Sequence, residues 1–251
     1  MGEWAALLPE IERVAREAGS LAQRERSRLE IDLKPDGSVV TNADLRVEEY
    51  LRKELPKAVP GTNVWGEEFG HSEEGQGGLW AVDPVDGTTN FAFGSPLWGV
   101  TVALIFQAEA VAGCVCLPDL GEVYAASVGC GASGNGEPLA PIAPGPIKPH
   151  NLFSCSETVL SSSPGVRWPG KWRCAGSFVV DAMFVATQRY RGMAGMREKL
   201  YDAAASIVIN RELGADIRYA DGRELRVADL LADRKIESPW LIFPRDSGFR
   251  T

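Results

Sequence analysis

A chain of 251 residues, 45% hydrophobic and 24% charged, can bury a sizeable core and is too apolar for a disordered or fibrous class. Its 26 basic and 34 acidic side chains leave a net charge of −8, with Lys and Arg scattered among acids, so the basic stripe that nucleic acid requires is missing. The longest apolar stretch, Leu97 to Phe106, falls far short of the roughly 20 residues of a membrane-crossing helix, and the start, Met-Gly-Glu-Trp-Ala-Ala, has neither a leader pattern nor a myristoylation Ser or Thr at Ala6.

Trp4, Leu7, Leu8, Ile11, Val14, Ala15, Ala18 and Leu21 recur at helical spacing, and Pro9 puts the regular start of that helix near itself. Asp36-Gly-Ser-Val-Val-Thr-Asn-Ala-Asp44 ends in an acid able to cap a second helix, whose apolar face is Val47, Tyr50, Leu51 and Leu55. A strand over Asn63 to Trp65 leads into Gly66-Glu67-Glu68-Phe69-Gly70. Adjacent strand residues point to opposite faces, so at most one of Glu67 and Glu68 can be a direct metal ligand.

Leu79-Trp-Ala-Val-Asp83-Pro-Val-Asp86-Gly-Thr-Thr-Asn-Phe91 is the most informative stretch. Trp80, Ala81 and Val82 read as the end of a buried strand that should stop at Pro84, which has no N–H for a ladder. Asp83 is then left at the mouth of the sheet, Asp86 can turn back toward it, and Gly87-Thr88-Thr89-Asn90 opens a helix whose free N–H groups attract an anion. Carboxylates beside such a cradle repel an anionic ligand unless a divalent cation lies between them. An ordinary turn capped by Asp86 accounts for the segment equally well when it is taken alone.

Leu97–Phe106 and Ala108–Leu117 form a hairpin pattern, with a further strand over Val123–Ser127. Residues 138–150 are too rich in Pro for regular structure and read as a linker between an N-terminal α+β domain, 1–140, and a C-terminal α/β domain, 151–251. Beyond it, Phe178–Arg189 and Asp202–Leu213 have helical patterns, while Thr158–Ser161, Asp216–Tyr219 and Trp240–Phe243 read as strands. Asp202 is followed by Ala203-Ala-Ala-Ser206, small residues that let a neighbouring backbone come close, and an N-cap explains it as cheaply as a ligand role.

Cys114, Cys116, Cys130, Cys155 and Cys174 are odd in number and widely spaced, which suits buried thiols in a reducing cytoplasm better than a disulfide framework. His71 and His150 lack metal spacing, and two histidines make a histidine triad improbable. No G-x-S-x-G or P-loop pattern occurs.

The acids taken in order, Asp44, Glu67-Glu68, Asp83-Pro-Val-Asp86-Gly-Thr88 and Asp202, resemble the signature of the inositol monophosphatase superfamily, the lithium-sensitive, magnesium-dependent phosphomonoesterases. Lys34 with the Asp36–Asp44 segment, Gly129-Cys-Gly-Ala-Ser-Gly-Asn-Gly136 and Arg173-Cys-Ala-Gly-Ser177 are similar to three further blocks, so the resemblance runs from about residue 30 to about residue 220. It implies a layered α-β-α-β-α sandwich, with a mainly antiparallel N-terminal sheet and a smaller C-terminal α/β domain. It further implies two to three Mg2+ ions, a small phosphate ester as substrate, and a homodimer by analogy.

Carried over by residue, the resemblance gives Glu67, Asp83 and the Val85 carbonyl to a first metal, and Asp83, Asp86 and Asp202 to a second. Gly87 and Thr88 would bind phosphate. Thr88, bonded to Asp44, would activate the attacking water, and Lys34 would order the Glu67 side. Glu68, Gly176 and Ser177 are the candidate substrate contacts. The resemblance also covers cleavage of fructose 1,6-bisphosphate, histidinol phosphate or 3′-phosphoadenosine 5′-phosphate on the same metal core. The chain departs from the family at Gly195, where many members carry a polyol-binding Glu, and Tyr201 stands for the usual Trp; Glu198 is the acid nearest in sequence that could replace the missing one. A non-catalytic, regulatory metal- or phosphate-binding protein on the same scaffold would have lost a ligand or the Thr88–Asp44 pair, and none is lost here.

Overall fold

The computed structural model describes residues 4–162, 166–232 and 236–248. The first helix, α1 (Leu8–Glu25), has Pro9 in its first turn, where the missing N–H costs nothing. A hairpin, β1 (Ile31–Leu33) and β2 (Val39–Thr41), precedes α2 (Asn42–Ala58). Then follow β3 (Asn63–Gly66), β4 (Leu79–Asp86), the short α3 (Thr88–Ala92), β5 (Gly99–Phe106), β6 (Glu109–Leu117), β7 (Glu122–Ser127), β8 (Ala132–Gly134) and β9 (Glu137–Pro138). These strands form a seven-stranded sheet in chain order, antiparallel except for the β3–β4 pair.

The later part of the chain contributes β10 (Leu152–Cys155), α4 (Glu157–Ser162), β11 (Lys171–Arg173), α5 (Phe178–Ala186), β12 (Met193–Gly195), α6 (Leu200–Glu212), β13 (Ala215–Tyr219), α7 (Val227–Leu230) and β14 (Trp240–Pro244). Its five strands pair in the order β11-β10-β12-β14-β13. Between the sheets, residues 139–151 form no helix or strand. Ile142 is nonetheless buried and donates its N–H to the Leu213 carbonyl, which fastens the Pro-rich segment to the end of α6.

Alternation along the central strands makes the layers. Trp80 and Val82 of β4, with Val100, Val102 and Leu104 of β5, face α1 and α2. Leu79, Ala81, Ala103 and Ile105 face the opposite way, onto α5 and α6, whose other side packs against Ile217, Trp240 and Ile242. Phe153, Cys155, Ala194 and Leu241 cover the outer face of the second sheet with Val159 of α4. The result is the α-β-α-β-α sandwich.

Three expectations need correction. The strand expected to stop at Pro84 continues to Asp86, because a register shift lets one extra residue of β4 bulge out where Pro84 has no N–H to give. Thr158–Ser161 is helical, within α4, and its run of Thr, Val and Leu packs Val159 on the sheet instead of pairing with it. The short strands β10, β11 and β12 lie outside the expected elements, and α5 ends at Ala186, three residues before Arg189.

The two halves of the chain meet most closely where α6 lies on β6. A Cβ built on Gly113 would stand 2.8 Å from the Ala205 Cα and 2.7 Å from Val208 Cγ1, so Gly113 and the Ala203–Ser206 run are complementary. Gly113→Ala is expected to destabilise the fold by roughly 1–3 kcal/mol, measured as a lower urea midpoint with unchanged slope.

Candidate active site

The bulge in β4 is what assembles the acids. Residues 83 and 86 would point to opposite faces of a regular strand, but Asp83 pairs with Thr101 and Asp86 with Gly99, two residues apart on β5, so both carboxylates turn to the α5–α6 side. Asp83 Oδ1 accepts the Val85 N–H at 2.9 Å. Asp86 Oδ2 accepts the Val179 N–H at 3.0 Å and the Ser177 hydroxyl, which seats it on the N-terminus of α5. Asp202 lies in the first turn of α6 and accepts the Lys199 N–H at 2.7 Å. Ligand oxygens of Glu67, Asp83 and Asp202 fall within 4.8 Å of one another.

Asp44 and Thr88 approach from the other side. Asp44 closes a capping box with Thr41, accepting both the Thr41 N–H and hydroxyl on Oδ2. Its Oδ1 lies 3.1 Å from Thr88 Oγ1, which is also 2.9 Å from the Val85 carbonyl oxygen. The single Thr88 proton can serve either acceptor. Gly87 precedes α3 with φ of 83°, and a Cβ there would stand 2.9 Å from the Ser177 Cβ, so only glycine supplies both the turn and the clearance.

Glu67, Asp83, Val85, Asp86, Gly87, Thr88 and Asp202 line a cleft of about 280 Å³ that also receives Gly37, Ser38, Val39 and Gly176, with Asp44 behind Thr88. A larger depression of about 770 Å³ lies at the β13 edge, where Arg211 pairs with Glu224 and Arg218 with Asp216. Its charges are largely satisfied among themselves, whereas those of the cleft are not. Burial raises the Asp83 and Asp202 carboxyls well above the usual range, with repulsion from Glu67 adding to it. Burial likewise lifts Asp86 and Asp44 to about 6 each.

Lys34 bonds Glu67 Oε1 and Glu68 Oε1 at 2.7 Å each, and its ammonium is pushed up by both carboxylates against the opposing effect of burial. Glu68 points to Lys34 and is not among the cleft-lining residues; burial raises its carboxyl to about 7. Gly176 does line the cleft, while Ser177 acts on it through Asp86.

Sequence reasoning passed over Asn90, whose amide nitrogen reaches the carbonyls of Leu97 and Ala175 at 2.7 and 2.8 Å and so ties α3 to the segment carrying Gly176. Gly195 ends β12 in the interior of the second sheet. A Cβ on it would stand 2.9 Å from both carboxylate oxygens of Glu198, which are themselves held by the Met196 N–H and the Trp240 indole N–H.

The donor set suits a hard divalent cation. It consists of carboxylate oxygens from three separate elements, crowded in a partly dry cleft, and the raised proton affinity of Asp83 and Asp202 registers the positive charge the site calls for.

A family model described as the inositol monophosphatase family matches residues 5–243. Over 239 residues the chain is 34% identical to an inositol-1-monophosphatase of Mesorhizobium japonicum, covering 87% of each. It is also 34% identical over 208 residues to a histidinol-phosphatase of Mycobacterium tuberculosis, covering 77% of this chain and 79% of that one. Among solved structures, the IMPase of Thermotoga maritima matches with a TM-score of 0.77 at 25% identity, over 92% of this chain and 89% of that one. Agreement of that extent, in sequence and in backbone alike, makes the chain a member of the inositol monophosphatase family and the protein a phosphoric monoester hydrolase.

Proposed function

We propose that the cleft hydrolyses a small phosphorylated metabolite with Mg2+ held by Glu67, Asp83, the Val85 carbonyl, Asp86 and Asp202. The carrying observation is the convergence of Glu67, Asp83 and Asp202 oxygens within 4.8 Å beside the Thr88–Asp44 pair. Two to three ions, with Asp83 shared between two of them, are part of this reading. When bound, the metal supplies Lewis-acid stabilisation of charge on the phosphoryl group and lowers the pKa of the attacking water.

The chain's own residues do the positioning. Gly87 and Thr88 present backbone N–H groups to the phosphate at the start of α3. The Thr88 hydroxyl accepts a hydrogen bond from the attacking water and passes its own proton toward Asp44 Oδ1, already 3.1 Å away. Of the two acceptors within reach of the Thr88 proton, the Val85 carbonyl would be taken up if it holds metal, which would leave Asp44 for the proton. In the metal-free cleft, burial raises the Asp44 carboxyl to about 6. Gly176 borders the phosphate side, Ser177 fixes Asp86, and Lys34 holds Glu67 with Glu68 as its second anchor.

On the alcohol side, Glu198 does not itself line the cleft, but its carboxylate stands in the space a side chain at residue 195 would enter and its charge is felt at Asp202, and we assign it the contact with the leaving alcohol. The relatives' names leave inositol 1-phosphate and histidinol phosphate as the first substrates to test. The unbridged Cys114, Cys116 and Cys155, all buried, support a cytoplasmic setting. The homodimer belongs to the same reading, and sedimentation velocity tests it.

Phosphate release should be measured with Mg2+ over inositol 1-phosphate, histidinol phosphate, fructose 1,6-bisphosphate and 3′-phosphoadenosine 5′-phosphate. At least one is expected to turn over, chelator is expected to stop it, and Asp83→Asn is expected to lower kcat/KM by roughly 10²–10³-fold or more. Activity that survives chelator would sink the metal reading. Gly195→Glu is expected to reduce turnover of every accepted substrate instead of conferring inositol 1-phosphate activity, because the new side chain meets the Glu198 carboxylate.

A pH dependence follows from the carboxyls. Asp86 rises from 3.8 to about 6 on folding, so it favours the metal-free fold below about 4, and that contribution is lost as pH climbs through about 6. Asp83 and Asp202 act in the same direction. Mg2+ offsets the loss only when the acids are ionised, so its increase of thermal midpoint should be larger at pH 8 than at pH 5.5. An equal increase at both values would contradict ligation by these acids.

A further inference from the structure

Asp44, Glu48 and Arg52 occupy one stripe of α2 at successive turns, four residues apart. Asp44 faces Thr88, whereas the other two face a different part of the site. Glu48 is fully buried, and its carboxylate accepts the Glu68 N–H at 2.7 Å, the Phe69 N–H at 3.1 Å and the Arg52 Nε–H at 2.9 Å. Arg52 then donates to the carbonyls of Val64 at 2.9 Å and Gly70 at 3.2 Å. Gly66 and Gly70 close the loop between them as a β-bridge, and Glu67 is carried on it. A Cβ on Gly66 would lie 2.1–2.5 Å from the Glu48 carboxylate atoms, so the absence of a side chain at 66 is what admits Glu48 beneath the loop.

We propose that Glu48 and Arg52 are positioning residues that set how far the Glu67 carboxylate reaches into the cleft. They grip the loop on both sides of Glu67 and leave the Glu67 side chain to Lys34 and the metal. The inference rests on the metal reading of the cleft. Because Asp44 stands on the same helix face, α2 fixes the distance between the water-activating pair and the Glu67 ligand. Movement of either loop or helix alone would mismatch the two. Groups that orient a metal ligand from behind are typically worth about 10–100-fold in metal affinity or activity; saturating metal draws the Glu67 carboxylate back into register with the Asp44 side, so the loss here falls on affinity.

The test compares wild type, Glu48→Gln, Arg52→Lys and a control, Leu55→Val, that loosens the α2 core without touching the loop. Mn2+ binding followed by EPR without substrate reads affinity directly, and the Mg2+ dependence of phosphate release reads it in turnover. Glu48→Gln keeps the shape but offers one acceptor oxygen to three donors, and Arg52→Lys cannot reach both carbonyls. Each is expected to weaken Mn2+ binding roughly 10-fold or more and to shift the Mg2+ half-saturation equally, with kcat at saturating Mg2+ largely restored. Leu55→Val should lower the thermal midpoint and leave Mn2+ affinity unchanged. If Glu48→Gln does not fold, Arg52→Lys, which retains Glu48 and its two N–H bonds, decides alone. Wild-type Mn2+ affinity in both Glu48→Gln and Arg52→Lys would overturn this inference while the metal reading stands. Absence of Mn2+ binding by the wild type would overturn both.

Discussion

Mutual repulsion among buried carboxylates is the constraint around which the site is organised. Asp83, Asp86 and Asp202 come from a strand bulge and a helix start, and the charges of all three are disfavoured by burial and by Glu67. The fold stabilises each acid with hydrogen bonds. Val85 N–H serves Asp83, the head of α5 serves Asp86, Lys199 N–H serves Asp202, and Lys34 serves Glu67. These bonds hold the oxygens in place without neutralising them as a group. The remaining charge suits a cation, and the same low dielectric that makes the acids costly would make a bound cation effective.

That organisation explains how much of the site was legible in the sequence. Every acid that reaches the site from a helix or turn also performs a local task. Asp44 completes a capping box and Asp202 bonds the backbone N–H three residues before it. The capping bond expected of each is present, and position by position a cap cannot be told apart from the further roles expected of them, Asp202 toward metal and Asp44 toward Thr88. Only their order along the chain pointed to those further roles. The bulge at Pro84 was not legible in this way, because the missing N–H of Pro reads equally as a strand end. The antiparallel core was legible in the long apolar runs of β5 and β6 on either side of a short turn; β10 to β12 are three or four residues long and too short to show a pattern.

Close packing between the halves of the chain supplies the remaining precision. Asp202 is separated from Asp83 by more than a hundred residues, and it reaches the cleft because α6 lies directly on the central strands at Gly113. A glycine in a strand facing a run of alanines in a helix brings two backbones closer than side chains would allow. Asn90 does the corresponding work on the other side, bonding the Leu97 and Ala175 carbonyls so that Gly176 and Ser177 stay beside Asp86. Neither contact could be paired from sequence, since each joins residues far apart in the chain, one of them small and the other a common surface amide.

The substrate side follows different physics from the metal side. A metal ligand is constrained by the ion, which demands oxygen at a fixed distance, so the residues that meet it fall into a recognisable order. A group that meets the leaving alcohol is constrained only by the shape and hydrogen bonds of that alcohol, and it can move to a neighbouring position if space is provided. Glu198, as the proposed alcohol contact, would be such a move away from Gly195. The carboxylate of Glu198 occupies the space beside Gly195, anchored by the Trp240 indole and the Met196 N–H, so either residue can change only if the other does. A single substitution at 195 therefore probes the pair and not one side chain.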